Sequence, residues 1–167
     1  MKVICDREAL LEAVNLASRA VATRTPRPQL TCLLLTAEDG HLSISATDGD
    51  VSMRLAATQV EVQEAGRCLI PADKVKQIVQ AQDNEPTLTI TTEGESAEIR
   101  GADAFFKVFG YPAGDFPVAA ELEAAGEGGF TMHSDDLAQL ISRTTFSTAR
   151  ETSRYAINGV LLRRVGK

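Results

Sequence analysis

The order of apolar and polar positions predicts short elements that recur in a fixed order. Val3-Ile4-Cys5 reads as a strand, and Asp6 and Glu8 form the acidic opening of a helix. Leu10, Val14, Ala17 and Val21 then recur at helical spacing, widened by Leu11 and Ala13, which predicts a helix from Arg7 to about Ala22. Pro26 and Pro28 forbid its continuation. Three strand-like runs follow, Leu30–Thr36, Leu42–Thr47 and Val51–Ala57, with hairpin turns at Glu38-Asp39-Gly40 and Asp48-Gly49. The order then repeats. Arg67–Ile70 is a strand, and Pro71 opens a helix whose apolar stripe is Val75, Ile78 and Val79. Thr87–Thr91, Ala97–Arg100 and Phe105–Phe109 are three more strands. Residues 1–110 thus read as βαβββ twice, an α+β arrangement in which two units pair their sheets and lay both helices on one side.

A longer repeat overlies this one. Residues 1–37 and 128–164 share one pattern without a gap. Phe130-Thr131-Met132 stands for the first strand and Ser134-Asp135-Asp136 for the acidic helix start. Leu137, Leu140 and Ile141 are its apolar positions, and Ile157 to Leu162 its next apolar run. Tyr111 to Gly129 is rich in Pro, Gly, Ala and Glu and ends in Gly126-Glu127-Gly128-Gly129. The expected organisation is a first domain over 1–120, a linker over 121–129 and the truncated beginning of a second domain over 130–167. A strand over Gly159–Arg164 would then lack a neighbour on one edge.

Composition narrows the function. The chain has 167 residues, 44% of them apolar, and no apolar run of membrane-spanning length. Cys5, Cys32 and Cys68 are odd in number and sit in apolar strands, so they read as buried reduced thiols of a cytoplasmic protein. A net charge of −6 argues against a protein that grips nucleic acid over its whole surface. The charges are segregated, however. No acid lies between Glu12 and Glu38, where Arg19, Arg24 and Arg27 fall. After Asp136 the one acid is Glu151, set among Arg143, Arg150, Arg154, Arg163, Arg164 and Lys167. Ordinary solvated faces would account for this, and so would a basic face on an acidic body.

No catalytic constellation emerges. His41 and His133 lack a neighbouring nucleophile. Asp48 and Asp50 could flank a cation, but the further oxygen ligands of a calcium loop are missing, and a tight turn is the favoured reading. Gly126–Gly129 lacks the lysine and preceding strand of a phosphate-binding loop. No metal or cofactor is therefore expected. The better candidates are Arg24 and Arg27 in the loop after the first helix, and Arg150 and Arg154 in the matching later loop. Arginines on loops reach phosphate oxygens without reading bases. Tyr155 either stacks on a base or plugs the core. Phe105 and Phe106 point to opposite sides of a strand, so one is expected in the core, and Phe106 shares a face with Val108 as an interface pair.

Several short motifs occur here in one order. They are Met1-Lys2-Val3 with Asp6-Arg7-Glu8, Arg24, Leu33-Leu34-Leu35, Ala46-Thr47-Asp48-Gly49, Ile70-Pro71-Ala72, Tyr111-Pro112-Ala113-Gly114-Asp115-Phe116-Pro117 and Arg154-Tyr155-Ala156-Ile157-Asn158-Gly159. Together they resemble the N-terminal part of the bacterial DNA polymerase III beta subunit family, the sliding clamps. The resemblance implies the clamp fold and a non-catalytic processivity factor in DNA replication. Two three-domain protomers close head to tail around double-stranded DNA and tether polymerase. The nucleotidyltransferase label, DNA-directed DNA polymerase, belongs to the complex served.

The resemblance also assigns residues. It implies DNA contacts at Arg24 and Tyr155, with Arg27 and Arg150 as basic neighbours. Asp73 and Glu151 stand where relatives carry a basic and an amide residue, which removes those contacts from the expectation. Arg154 and Ile157 match one edge of the groove that takes short peptide motifs of clients. Lys74, Phe106 and Val108 match the first-domain side of the homodimer interface. The implied partners are DNA, the polymerase III catalytic subunit, the clamp loader and other proteins with clamp-binding motifs, with no membrane involved. The alternative is a free-standing interaction module with the clamp fold that does not encircle DNA. A metal-dependent enzyme using Asp48 and Asp50 is a distant third.

Overall fold

The first helix is fixed at its start by its own sequence. The Asp6 side chain accepts a hydrogen bond from the Ala9 backbone N–H at 2.9 Å, and Glu8 lies in the positive first turn. The structure, a computed structural model, describes residues 1–117, 130–149, 157–163 and 165. It divides into two compact units, Met1–Ala120 and Glu121–Lys167.

In the first unit, β1 (Lys2–Asp6) leads into α1 (Arg7–Ala17), then β2 (Cys32–Glu38), β3 (His41–Thr47), β4 (Ser52–Ala57) and β5 (Val60–Glu64). The second half runs β6 (Gly66–Pro71), α2 (Ala72–Ala81), β7 (Thr87–Glu93), β8 (Ser96–Arg100) and β9 (Phe105–Phe109). The α+β class and the two helix–strand series agree with the sequence expectation.

Three details differ. Helix α1 ends at Ala17 rather than near Ala22, because the Ser18 hydroxyl donates to the Val14 carbonyl at 2.6 Å and the chain tightens into a 3-10 turn over Ser18–Ala20. Strand β2 starts at Cys32, since Pro28–Thr31 forms another 3-10 turn. Strand β5 was not expected at all. Its Val60-Glu61-Val62 alternation places both valines against the core and Glu61 toward solvent.

The pairing is the unexpected part. Each half gives its first strand to the other half's sheet. Strand β1 pairs antiparallel with β7 in a five-stranded sheet of order β5-β1-β7-β8-β9. Strand β6 pairs antiparallel with β2 in a four-stranded sheet of order β4-β3-β2-β6. Their inward residues, Val3, Cys5, Leu88 and Ile90 in one and Leu33, Leu35, Cys68 and Ile70 in the other, join Leu10, Val14, Val75 and Val79 of the helices in one core. The Arg7 Nε donates to the Val79 carbonyl at 3.2 Å and ties the start of α1 to α2.

Strand β2 is buried on both faces. Leu33, Leu35 and Ala37 face the helices, while Cys32 and Leu34 join Leu69 and Phe116 in a second, smaller cluster on the other side. The segment after β9 makes that second cover. It crosses β6 at Tyr111, whose backbone N–H donates to the Leu69 carbonyl at 2.9 Å. Gly110 permits the crossing, because a side chain there would run into the Leu69 carbonyl oxygen.

In the second unit, α3 (Ser134–Thr144) and a 3-10 turn over Thr145–Ser147 stand at one common offset from α1 and Ser18–Ala20. The long repeat is thus structural over its helix and the following turn, while Phe130-Thr131-Met132, expected as its first strand, forms none. No strand forms among the described residues 157–163, contrary to the expectation for Ile157 to Leu162. A strand needs a partner for its backbone groups, and the described residues of this unit offer none.

Replacing Gly110 by Ala is expected to lower the stability of the first unit by about 1–3 kcal/mol, because the clash falls on backbone that cannot rotate away. Gly114→Ala, where an added carbon meets nothing within 4 Å, should stay within about 0.5 kcal/mol of the parent. Urea unfolding midpoints of the two variants compare them. Equal midpoints would show that the crossing is not tightly held.

Candidate functional site

Two surfaces remain once the core is assigned, a basic loop and a groove beside an edge strand. The loop is closed at its base by the Ala22 N–H to Leu30 carbonyl hydrogen bond at 2.9 Å. Within it the Arg27 N–H donates to Thr25 Oγ1 at 3.0 Å and the Leu30 N–H to the Arg27 carbonyl at 3.1 Å. Pro26 and Pro28 stiffen the same stretch. Arg24 and Arg27 are both exposed on it, and neither pairs with a carboxylate among the described residues. Both guanidinium groups thus stand exposed on a braced loop. Arg150, Arg154 and Tyr155 lie outside the described residues, as does Glu151. Ile157 is exposed, and its carbonyl accepts from the Ala149 N–H at 2.9 Å.

The groove has a volume of about 600 Å³ and lies between α2 and β9. Lys74, Gln77, Ile78 and Ala81 line it from the helix, at the spacing that puts residues on one face. Phe106 and Val108 line it from the strand, so it gathers Lys74, Phe106 and Val108 in one place. Sequence reasoning found those three and missed Gln77, Ile78 and Ala81, although the spacing from Lys74 would have given them.

Two expectations about β9 need correction. Val108 is only 5% exposed and belongs to the main core, because its side of the strand packs under α2. It shapes the groove floor rather than offering a free contact. Neither Phe105 nor Phe106 is a core residue: they are 58% and 38% exposed. The reason is position, since β9 is the last strand of its sheet and, among the described residues, pairs only with β8. Phe105 lies under the Arg100 guanidinium at 4.7 Å, and Phe109, which borders the groove together with Lys107, lies near the Lys107 ammonium at 5.8 Å. Among the described residues no strand pairs with the outer edge of β9, which therefore carries open backbone groups beside exposed phenylalanines.

The catalytic alternatives find no support in the geometry. Asp48 Oδ1 accepts from the backbone N–H groups of Val51 at 2.8 Å and Asp50 at 2.9 Å, and these bonds hold its carboxyl below the ordinary carboxylate pKa. The carboxylate serves the turn, as the sequence favoured. The described residues contain no cluster of His, Cys, Asp and Glu able to hold a metal ion. His41 and His133 are exposed. Burial drives the thiols of Cys5 and Cys68 up to about 12 and raises that of Cys32, so all three stay protonated at neutral pH. Asp73 lies beside Lys74, at 3.9 Å, in the first turn of α2. No helix among the described residues is long and apolar enough to cross a membrane.

Comparison with known proteins gives these surfaces a context. The chain is 31% identical to the beta sliding clamp of Pseudomonas aeruginosa over 97% of its own length and 44% of that protein's. It is 31% identical to the Escherichia coli K12 beta sliding clamp over all of its length and 45% of the relative's. The crystal structure of the DNA polymerase III subunit beta from Pseudomonas aeruginosa matches 95% of this chain and 43% of that one, with a TM-score of 0.85 at 31% identity. The polymerase sliding clamp from Caulobacter crescentus gives 0.83 at 30% identity. The chain therefore spans less than half the length of the relatives it matches. Residues 1–120 match the family described as the DNA polymerase III beta subunit, N-terminal domain. With its nine-stranded first unit and the helix start that repeats in its second, the chain belongs to the DNA polymerase III beta subunit family.

Proposed function

We propose that this chain is the opening part of a sliding clamp, a non-catalytic processivity factor that encircles duplex DNA and tethers the replicative polymerase. The observation that carries the reading is the agreement, in sequence and in three dimensions, between almost the whole chain and beta clamps. In this reading residues 1–120 are the first clamp domain, 121–129 a linker and 130–167 the start of the second. The partners are double-stranded DNA, the polymerase III catalytic subunit, the clamp loader and other proteins with clamp-binding motifs. The protein works in the cytoplasm, as a homodimeric ring built by the intact protomers.

The local physics suits such a role. A ring holds DNA by topology, so its contacts must be weak enough to slide. Arg24 and Arg27, exposed on a braced loop and without carboxylate partners among the described residues, can meet phosphate oxygens one after another without reading sequence. Arg150 and Tyr155 would act with them from the second domain. An acidic remainder, with its net charge of −6, discourages DNA from adhering outside the ring. The groove of Lys74 and Phe106, floored by Val108, is the first domain's half of the ring-closing interface. Arg154 and Ile157 form part of the client-peptide groove, which takes its other residues from further domains.

The full-length protein loaded on a closed circular plasmid should co-elute with it through gel filtration and leave once the circle is cut. Retention on linear DNA would contradict encirclement and favour the free-standing interaction module.

Replacing Arg24 and Arg27 together by Ala should weaken DNA binding evenly across sequences. The slope of log K against log salt should fall in magnitude by about 2, since each phosphate contact contributes about 0.9. Fluorescence anisotropy at several salt concentrations reads this, and an unchanged slope removes the loop from the DNA surface.

At the ring interface, Phe106→Ala should raise the protomer dissociation constant of the full-length protein about tenfold to a hundredfold. Val51→Ala, an exposed apolar residue on the β3–β4 hairpin, should leave it unchanged. Sedimentation equilibrium distinguishes them, and equal constants would place the interface elsewhere.

A further inference from the structure

Strand β2 has two covers of very different kind. The inner one is the main core, to which both helices and both sheets contribute. The outer one consists of Tyr111, Ala113 and Phe116, laid over Cys32, Leu34 and Leu69. This outer cover shares no residue with the main core. It is held to the sheet by the Tyr111 N–H to Leu69 carbonyl bond and by Phe116, which is 8% exposed. Its remaining backbone bonds are local, from the Asp115 N–H to Pro112 and from the Phe116 N–H to Ala113. It follows the last strand of its sheet, so no further pairing of this unit depends on it. A segment with one buried side chain, two partly buried ones, one long-range hydrogen bond and, among the described residues of its unit, no strand beyond it can open without unfolding what it covers.

We propose that Tyr111–Phe116 is a detachable clasp, which lifts as a unit from the outer face of the four-stranded sheet while the main core stays folded. Lifting it exposes Cys32, Leu34 and Leu69. The clasp thereby turns a covered face of the four-stranded sheet into an open apolar one, without any change in strand pairing. This does not depend on the chain being a clamp.

The three cysteines report on it directly. Cys32 lies under the clasp, whereas Cys5 and Cys68 lie in the main core. In the 167-residue chain under native conditions, iodoacetamide at low concentration should alkylate Cys32 at least tenfold faster than the other two, as read by peptide mass spectrometry. Val14→Ala truncates the main core, which is shared by the closed and lifted forms alike. It should accelerate Cys5 and Cys68 about tenfold or more and leave Cys32 unchanged. If that variant does not fold, Ile90→Val makes the same comparison with a smaller step. Phe116→Ala should accelerate Cys32 by about two orders of magnitude, the scale of truncating a buried phenylalanine. Amide exchange at Tyr111 should rise in parallel.

Equal rates at all three cysteines in the parent, or a Cys32 rate that follows Val14→Ala, would show that the segment opens only with the whole unit and would overturn the proposal. A Cys32 rate indifferent to Phe116→Ala would also overturn it, because the thiol would then be reached past Pro28–Thr31, whose Pro28 carbonyl accepts from Cys32 Sγ at 3.5 Å.

Discussion

The first unit depends on the exchange of its two opening strands. Val3 pairs opposite Ile90 and Cys5 opposite Leu88, while Leu33 pairs opposite Ile70 and Leu35 opposite Cys68. Because β1 belongs to the sheet of the second half and β6 to the sheet of the first, neither half can complete its backbone hydrogen bonds alone. An unpaired buried strand would leave polar backbone groups unsatisfied at a cost of roughly 1–3 kcal/mol each. The two halves therefore fold as one cooperative unit with one core. The pairings are far apart in sequence, which places the cost of loop closure early and favours slow folding.

The functional surfaces lie where that core ends. Helix α1 packs against α2 and against β3 and β4, and α2 reaches β6 and β9. The loop carrying Arg24 and Arg27 leaves the core after Ala20 and returns to it at Leu30, so its tip is free of packing while its base is fixed. The groove sits where α2 overhangs the last strand of its sheet. Both sites are thus rigidly placed by buried neighbours and open at the contact point. The sequence-blind polyanion contact proposed above needs that combination more than it needs a pocket.

Much of this was legible in the chain because local and global signals agreed. Asp6 before an apolar 3.6-residue pattern placed the start of α1, and Asp48-Gly49 placed a turn whose carboxylate bonds the structure confirms. The long repeat was legible because α3 and α1 keep the same acidic first turn and apolar stripe, although Asp6 caps α1 and His133 at the equivalent place makes no side-chain cap. Strand β5 was hidden by its charge: Glu61, Gln63 and Glu64 make it look like a loop, although Val60 and Val62 alternate as a half-buried strand requires. The pairing exchange left no local trace, since β1 and β6 have the same apolar pattern whichever sheet they join. The burial of Val108 was hidden for a related reason. Alternation along a strand says that Phe106 and Val108 share a side, but only the overhang of α2 says which of them it covers.

Strand β9 shows what the sequence could not explain by itself. Natural sheets protect their edges with charges, prolines, bulges or covering elements, because an open edge invites another strand. Here Lys107 is the single charge in β9, flanked on each side by exposed phenylalanines, and it is offset by Glu93 at 3.7 Å. Cation–π contacts with Arg100 and Lys107 shelter Phe105 and Phe109 only in part, since 58% and 75% of these residues stay in contact with solvent. An edge of this composition would be selected against in a unit that worked alone. In the ring proposed above, β9 and the adjoining groove would be covered, so that the backbone groups gain partners and the phenylalanines leave water together. The residues that make the isolated edge unfavourable would then supply the energy of that proposed closure.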